Sequence, residues 1–255
     1  MLRRIAITFG YAIWVVISFI LAQLLVYVLF MAYQAIAGSL DLTLALSEAT
    51  LGTVTAALTY LLTIAIAVGF PRIKNHITTI TELGLDRLPE WRDIILAPLA
   101  AIVYIVTTAL LAYFAVNIEG FDPNQSQDIA FSSFSNNIEY VLAFITLVVM
   151  APIAEEVLFR GYLFSKIRRR ANVIATILVT SVFFALLHLP GLDESGNIQW
   201  QWNAAVDVFA LALVLAGLRE YTGGIWASIL LHMMKNGLAF YVLFINTDIL
   251  RTMGG

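Results

Sequence analysis

Glu155 and Glu156 stand side by side, with Arg160 four residues beyond the second, in a run from Ile138 to Ile167 that is otherwise almost wholly apolar. Each such charge costs about 2.5 to 3.5 kcal/mol at the centre of a membrane helix, so a chain that keeps them there must offset or use them. At i and i+4, Glu156 and Arg160 share a helix face and can pair. Glu155 points about 100° round the helix and has no local cation, which leaves one carboxylate neutralised and the other free to act as a base. Downstream, His188 closes Phe184-Ala-Leu-Leu-His188, and His232 and Asn236 stand at i and i+4 in His232-Met-Met-Lys-Asn236. A carboxylate, two imidazoles and an amide suit hydrolysis. Glu155 and His188 can bind and deprotonate a water, while His232 and Asn236 can donate to the oxyanion that forms when water attacks an amide carbonyl.

Plainer readings compete at each position. A single interhelical histidine or asparagine commonly serves packing, and Glu156 with Arg160 reads as a buried pair that fixes helix orientation in support of the site. Lys235 either snorkels or meets a carboxylate. Asp207 is buried support or faces loop water, and His76 is a solvated connector residue.

These residues need membrane helices to hold them. Of 255 residues, 61% are hydrophobic and 12% charged, and the mean hydropathy is +0.89, outside the range of ordinary soluble domains. Cysteine is absent, which excludes disulfides, thiolate metal sites and a cysteine nucleophile. The partners expected are the lipid bilayer and a peptide or membrane-protein substrate, with no nucleic acid.

The hydropathy pattern predicts an all-α, polytopic bundle of about seven spans. They run near 5–37, 50–70, 94–116, 138–167, 172–189, 204–218 and 225–245. The first is too long for a signal peptide and is read as retained. The connector Arg72 to Asp93 carries an apolar rhythm (Ile80, Leu83, Leu85, Leu88, Trp91) that predicts an interfacial amphipathic helix, an eighth. Pro152 predicts a kink in the fourth span. The Asn124-Gln125-Ser126 sequon in the polar loop 117–137 reads as chance. Residues 1–137 are expected to form N-terminal helices and the connector, and 138–255 the catalytic core of one continuous membrane domain. Basic residues gather in alternate loops (Arg3 and Arg4; Arg72 to Arg92; Lys166 to Arg170; Arg219), with Arg251 on the other side. This places the N-terminus in the cytoplasm. One tension follows. Glu155 falls in the cytoplasmic half of its span, whereas His188 falls near the far end of the next, so a kink, a tilt or a projecting turn must bring them level.

Glu155-Glu156-x-x-x-Arg160, Phe184-x-x-x-His188 and His232-x-x-x-Asn236, in that order on a polytopic chain, resemble the CPBP family of type II CAAX prenyl endopeptidases and bacteriocin-processing (Abi) proteins. The resemblance covers about 138–244, including the approach Arg219-Glu-Tyr-Thr-Gly-Gly-Ile-Trp to His232. It implies a glutamate-type intramembrane endopeptidase whose polar cavity opens to the cytosol, acting on prenylated CAAX-type or bacteriocin and leader peptides in a prokaryotic cell membrane. Glu155 and His188 match the family's water-activating pair, His232 and Asn236 its oxyanion pair, and Glu156 and Arg160 positions of less settled role. The expectation is a metal-free site. A zinc-dependent version of the same protease is the alternative, although zinc usually takes three protein ligands and no HExxH supplies a pair. Lys235 beside Asn236 departs from the family pattern, and the few residues after the seventh span lead us to expect no eighth spanning helix. Other functions weighed are a catalytically silent immunity or scaffold protein and a small transporter, for which no repeated broken helices are visible.

Overall fold

A computed structural model describes residues 2–39, 47–117, 121–122, 125, 134, 136–192 and 197–246. Asn124 and Ser126 of the sequon, and Arg251, lie outside them. The described residues form eight helices: α1 (Leu2–Ser39), α2 (Ala49–Ile73), α3 (Ile80–Leu83), α4 (Trp91–Ala115), α5 (Asn137–Arg168), α6 (Val173–Leu187), α7 (Trp202–Thr222) and α8 (Trp226–Ile245). The chain is an all-α, multi-pass membrane protein, and six of these helices are long and apolar enough to cross a bilayer. The exceptions are α3 and α6. At 15 residues α6 reaches only about 22 Å, against a hydrocarbon core of about 30 Å.

Side chains set the helix ends. Ser47 accepts from Thr50 N–H ahead of α2, and Asn172 accepts from Ala175 N–H ahead of α6. Glu90 and Asp93 cap α4 reciprocally, which satisfies amides that would otherwise be orphaned. Asp93 also takes Arg87 in a paired hydrogen bond, which raises the pKa of that guanidinium and keeps the connector charged and anchored.

Three details differ from the sequence expectation. The connector makes a single helical turn, α3, because Thr79 caps it and Gly84 ends it in the left-handed region at φ 71°. The irregularity expected at Pro152 takes the form of two π-helical stretches, Ile145–Met150 and Val157–Leu163, on either side of Ala151–Glu156. Proline lacks an amide hydrogen and crowds the carbonyl four residues back, here that of Val148, and a widened turn relieves both. The segment after α6, expected to be a loop, contains a hairpin of β1 (Pro190–Leu192) and β2 (Ile198–Trp200), antiparallel with Pro190 opposite Trp200.

The chain divides into two compact units. The first comprises Met1–Ala12, Thr79–Ile129 and Glu155–Lys235, with a core of Ala97, Leu211, Leu215, Ala227 and Leu231. Within it, α5 and α6 are joined by a four-residue turn and pack antiparallel, with the rings of Phe159 and Phe184 4.8 Å apart. The second comprises Ile13–Thr78, Ala130–Ala154 and Asn236–Gly255, and its core includes Ala49, Ala143, Val148 and Phe240.

The antiparallel pairing resolves the depth problem. Counted back from Arg168 and forward from Val173, Glu155 and His188 lie about 20 Å and about 22 Å from their turn at about 1.5 Å per residue. They stand level because α5 is long and Glu155 lies well back from its end.

Glycine is required at Gly84 for two reasons: its φ is 71°, and a Cβ there would come within 2.9 Å of the Arg219 guanidinium. Gly223 has φ 72° and open space around it. Gly223→Ala should therefore cost the conformational penalty alone, about 1 to 2 kcal/mol, and Gly84→Ala more. Gly10→Ala, with open space and helical backbone, should stabilise by about 0.5 to 1 kcal/mol. Thermal midpoints in detergent check this order.

Candidate active site

Five charged or imidazole side chains of the first unit converge around the ring of Phe184. Glu156 is fully buried, and its Oε1 accepts from Arg160 Nη1 at 2.9 Å. The same oxygen lies 3.0 Å from His232 Nδ1. Beside a guanidinium the carboxylate acts as an acceptor, so Nδ1 carries a hydrogen and donates it. That leaves Nε2 as the working nitrogen, and it faces Glu155 Oε2 across 3.7 Å. His232 thus stands between two glutamates: one buried and bound, the other 21% exposed.

His188 is oriented in a similar way. Its Nδ1 lies 2.9 Å from the carbonyl of Phe184, which can only accept, so this ring also presents Nε2 as its open nitrogen. Phe184 is the shared wall. Its ring lies 4.8 Å from that of His188 and 6.0 Å from that of His232, and the Arg160 guanidinium sits 4.4 Å above it. Stacking a cation on an aromatic face lowers the cost of burying it.

The buried pair is dear. Glu156 Oε2 and Arg160 Nε are buried without a hydrogen-bond partner, and such pairs seldom stabilise a fold beyond what an apolar pair would give. What they supply here is orientation of His232. Among the described residues no group of three or more His, Asp or Glu is arranged to hold a metal ion.

Residues 137–238 match the model of one family, described as type II CAAX prenyl endopeptidase Rce1-like. These residues resemble an Rce1-like domain. The match is what the three motifs lead one to expect of the CPBP family, and a protease role, in the general sense of a CAAX-type endopeptidase, follows from it. No curated protein and no solved structure matches the chain.

The matched segment brings Glu155, Glu156, Arg160 and His232 together, and His188 joins them through Phe184. Asn236 belongs to the second unit, where its amide donates to the carbonyl of Leu147 at 2.9 Å. Lys235 meets a carboxylate, one of its two sequence readings: its Nζ lies 3.3 Å from Asp207 Oδ2. Tyr104 donates to the other oxygen of Asp207. Sequence reasoning gave Phe184 no role, although its place one turn before His188 puts both on one helix face. It also missed the link from His232 to Glu156, because partners 76 residues apart leave no local signal.

Arg160→Met should strand the Glu156 carboxylate and destabilise the protein by about 3 to 5 kcal/mol. The double variant Glu156→Leu with Arg160→Met should lose less than Arg160→Met alone. Unfolding titrations of the three proteins in mixed micelles check the sign of this coupling.

Proposed function

We propose that the chain is a glutamate-type intramembrane endopeptidase in which the Glu155 carboxylate is the general base. The observation that carries this reading is the position of Glu155: a partly exposed carboxylate in a membrane domain, facing the open nitrogen of an imidazole whose other nitrogen is bound by Glu156. In the proposed reaction a water stands against Glu155 and His188 Nε2. Glu155 takes one hydrogen as the water oxygen attacks the amide carbonyl carbon. In its imidazolium form His232 has its Nδ1 hydrogen held by Glu156 and a second hydrogen at Nε2 that it donates to the oxyanion. Asn236 is the second donor, an assignment that rests on the His232-x-x-x-Asn236 motif. The tetrahedral intermediate then collapses, the C–N bond breaks, and the hydrogen taken by Glu155 passes to the leaving nitrogen. No step of this scheme is routed through a metal.

The description of the matched family supports a substrate ending in a CAAX-type sequence, with a prenyl chain that partitions into the bilayer. Bacteriocin and leader peptides are the other substrate class that the motifs support.

An internally quenched, farnesylated CAAX-type peptide in proteoliposomes tests the proposal. Glu155→Gln and His188→Ala should each lower kcat by about 10²- to 10⁴-fold, the usual contribution of a positioned acid or base, with the protein still folded. Cleavage retained in Glu155→Gln would reject the mechanism, and absence of cleavage in the wild type would favour a silent immunity or scaffold role. A chelator should leave the wild-type rate unchanged; a loss that added zinc restores would support the metal version instead.

A further inference from the structure

The mechanism leaves two buried cations unused: Lys166, which pairs with Glu82, and Arg219. Arg219, in the last turn of α7 and 8% exposed, directs its hydrogen bonds to main-chain carbonyls and one hydroxyl. Its Nε donates to the carbonyl of Arg160 at 3.0 Å, its Nη1 to that of Gly223, and its Nη2 to that of Glu82 at 3.0 Å and to Ser165 Oγ at 3.5 Å. Burying a guanidinium on neutral acceptors is costly, so the position of those carbonyls must matter.

The carbonyl of Arg160 lies in the π-helical stretch Val157–Leu163, where Phe164 N–H reaches back to Phe159. A widened turn is set less firmly by its own hydrogen bonds than an α-helical one and often marks a functional site. The side chain of the same residue donates from Nη2 to the carbonyl of Ala212 at 3.3 Å. Ala212 and Arg219 stand seven residues apart, two turns along one face of α7. So α7 holds Arg160 at two points, accepting its guanidinium through Ala212 and gripping its backbone through Arg219. From Arg160 the chain of contacts runs to Glu156 at 2.9 Å and on to His232 Nδ1 at 3.0 Å.

We propose that Arg219 is a positioning residue: by fixing the backbone at Arg160 it holds the Arg160–Glu156 pair where it keeps the His232 hydrogen on Nδ1. The inference deepens the protease reading of the same site, but its test needs no substrate. The chain has 3 histidines, so ¹⁵N-histidine spectra of the full-length protein in detergent resolve His232 once His232→Gln has assigned it.

In the wild type the hydrogen of neutral His232 should reside on Nδ1. In Arg219→Gln and Arg219→Lys, whose side chains cannot meet all the carbonyls at once, the Nδ1–H fraction should fall at least threefold, while Arg168→Ala, which breaks the exposed pair with Glu220, should leave it unchanged. With a cleavable peptide, kcat of Arg219→Lys should fall about tenfold at constant KM. A folded Arg219→Gln or Arg219→Lys with an unaltered His232 spectrum overturns the proposal. So does failure of both variants to fold, which would assign Arg219 to fold maintenance alone. Because the tautomer is read without substrate, a wild type that cleaves nothing sinks the protease reading and leaves this result standing.

Discussion

A charge within a membrane helix must find its counter-charge inside the protein, because neither lipid nor distant water can solvate it. Glu156 and Arg160 meet that condition within one helix, and much of the first unit is arranged around the result. Their pairing leaves the Glu156 carboxylate able to accept further, and His232 of α8 donates to the same oxygen that takes Arg160. Phe184 of α6 covers the guanidinium, and Ala212 of α7 takes one of its nitrogens. Three helices thus pack against a single ion pair, and each contact is directional where apolar packing would not be. That is how a pair with little net stabilising value can still determine which way an imidazole faces.

Two carboxylates at adjacent positions thereby acquire different roles. Glu156 is enclosed and bound to a cation, whereas Glu155 keeps contact with solvent and faces an imidazole nitrogen with no bond closer than 3.7 Å. The difference arises from the helix period, since a step of about 100° turns one side chain into the packed interior and the other toward the opening. The two histidines are treated alike: each has Nδ1 tied down, one by a carboxylate and the other by a carbonyl, and each presents Nε2.

Much of this was legible in the sequence. Hydropathy gave the long helices, and the Glu156–Arg160 pair followed from spacing alone, because interactions at i and i+4 are written locally. The three motifs pointed to the family that the 137–238 match supports. What spacing could not give were contacts across distant stretches, such as Glu156 with His232, Lys235 with Asp207 and Arg219 with Arg160. The π stretches of α5 were invisible for a different reason: they depend on how the helix accommodates Pro152 and its packing, which composition does not encode. The hairpin of three-residue strands is too short for any periodicity to emerge. The apparent mismatch in depth between Glu155 and His188 came from measuring against assumed span edges; measured from their shared turn, the two agree.

The short helix α6 bears on the surrounding lipid as well as on the site. It starts next to the basic turn Arg168–Arg170 and ends at a hairpin whose second strand is exposed throughout. Open strand edges are not tolerated in hydrocarbon, so water must lie at both ends of a segment about 22 Å long. A bilayer matched to α6 alone would be several ångströms thinner than usual. His188 caps the hairpin end of that short segment, so its imidazole belongs to the water-facing end of α6 rather than to its apolar middle.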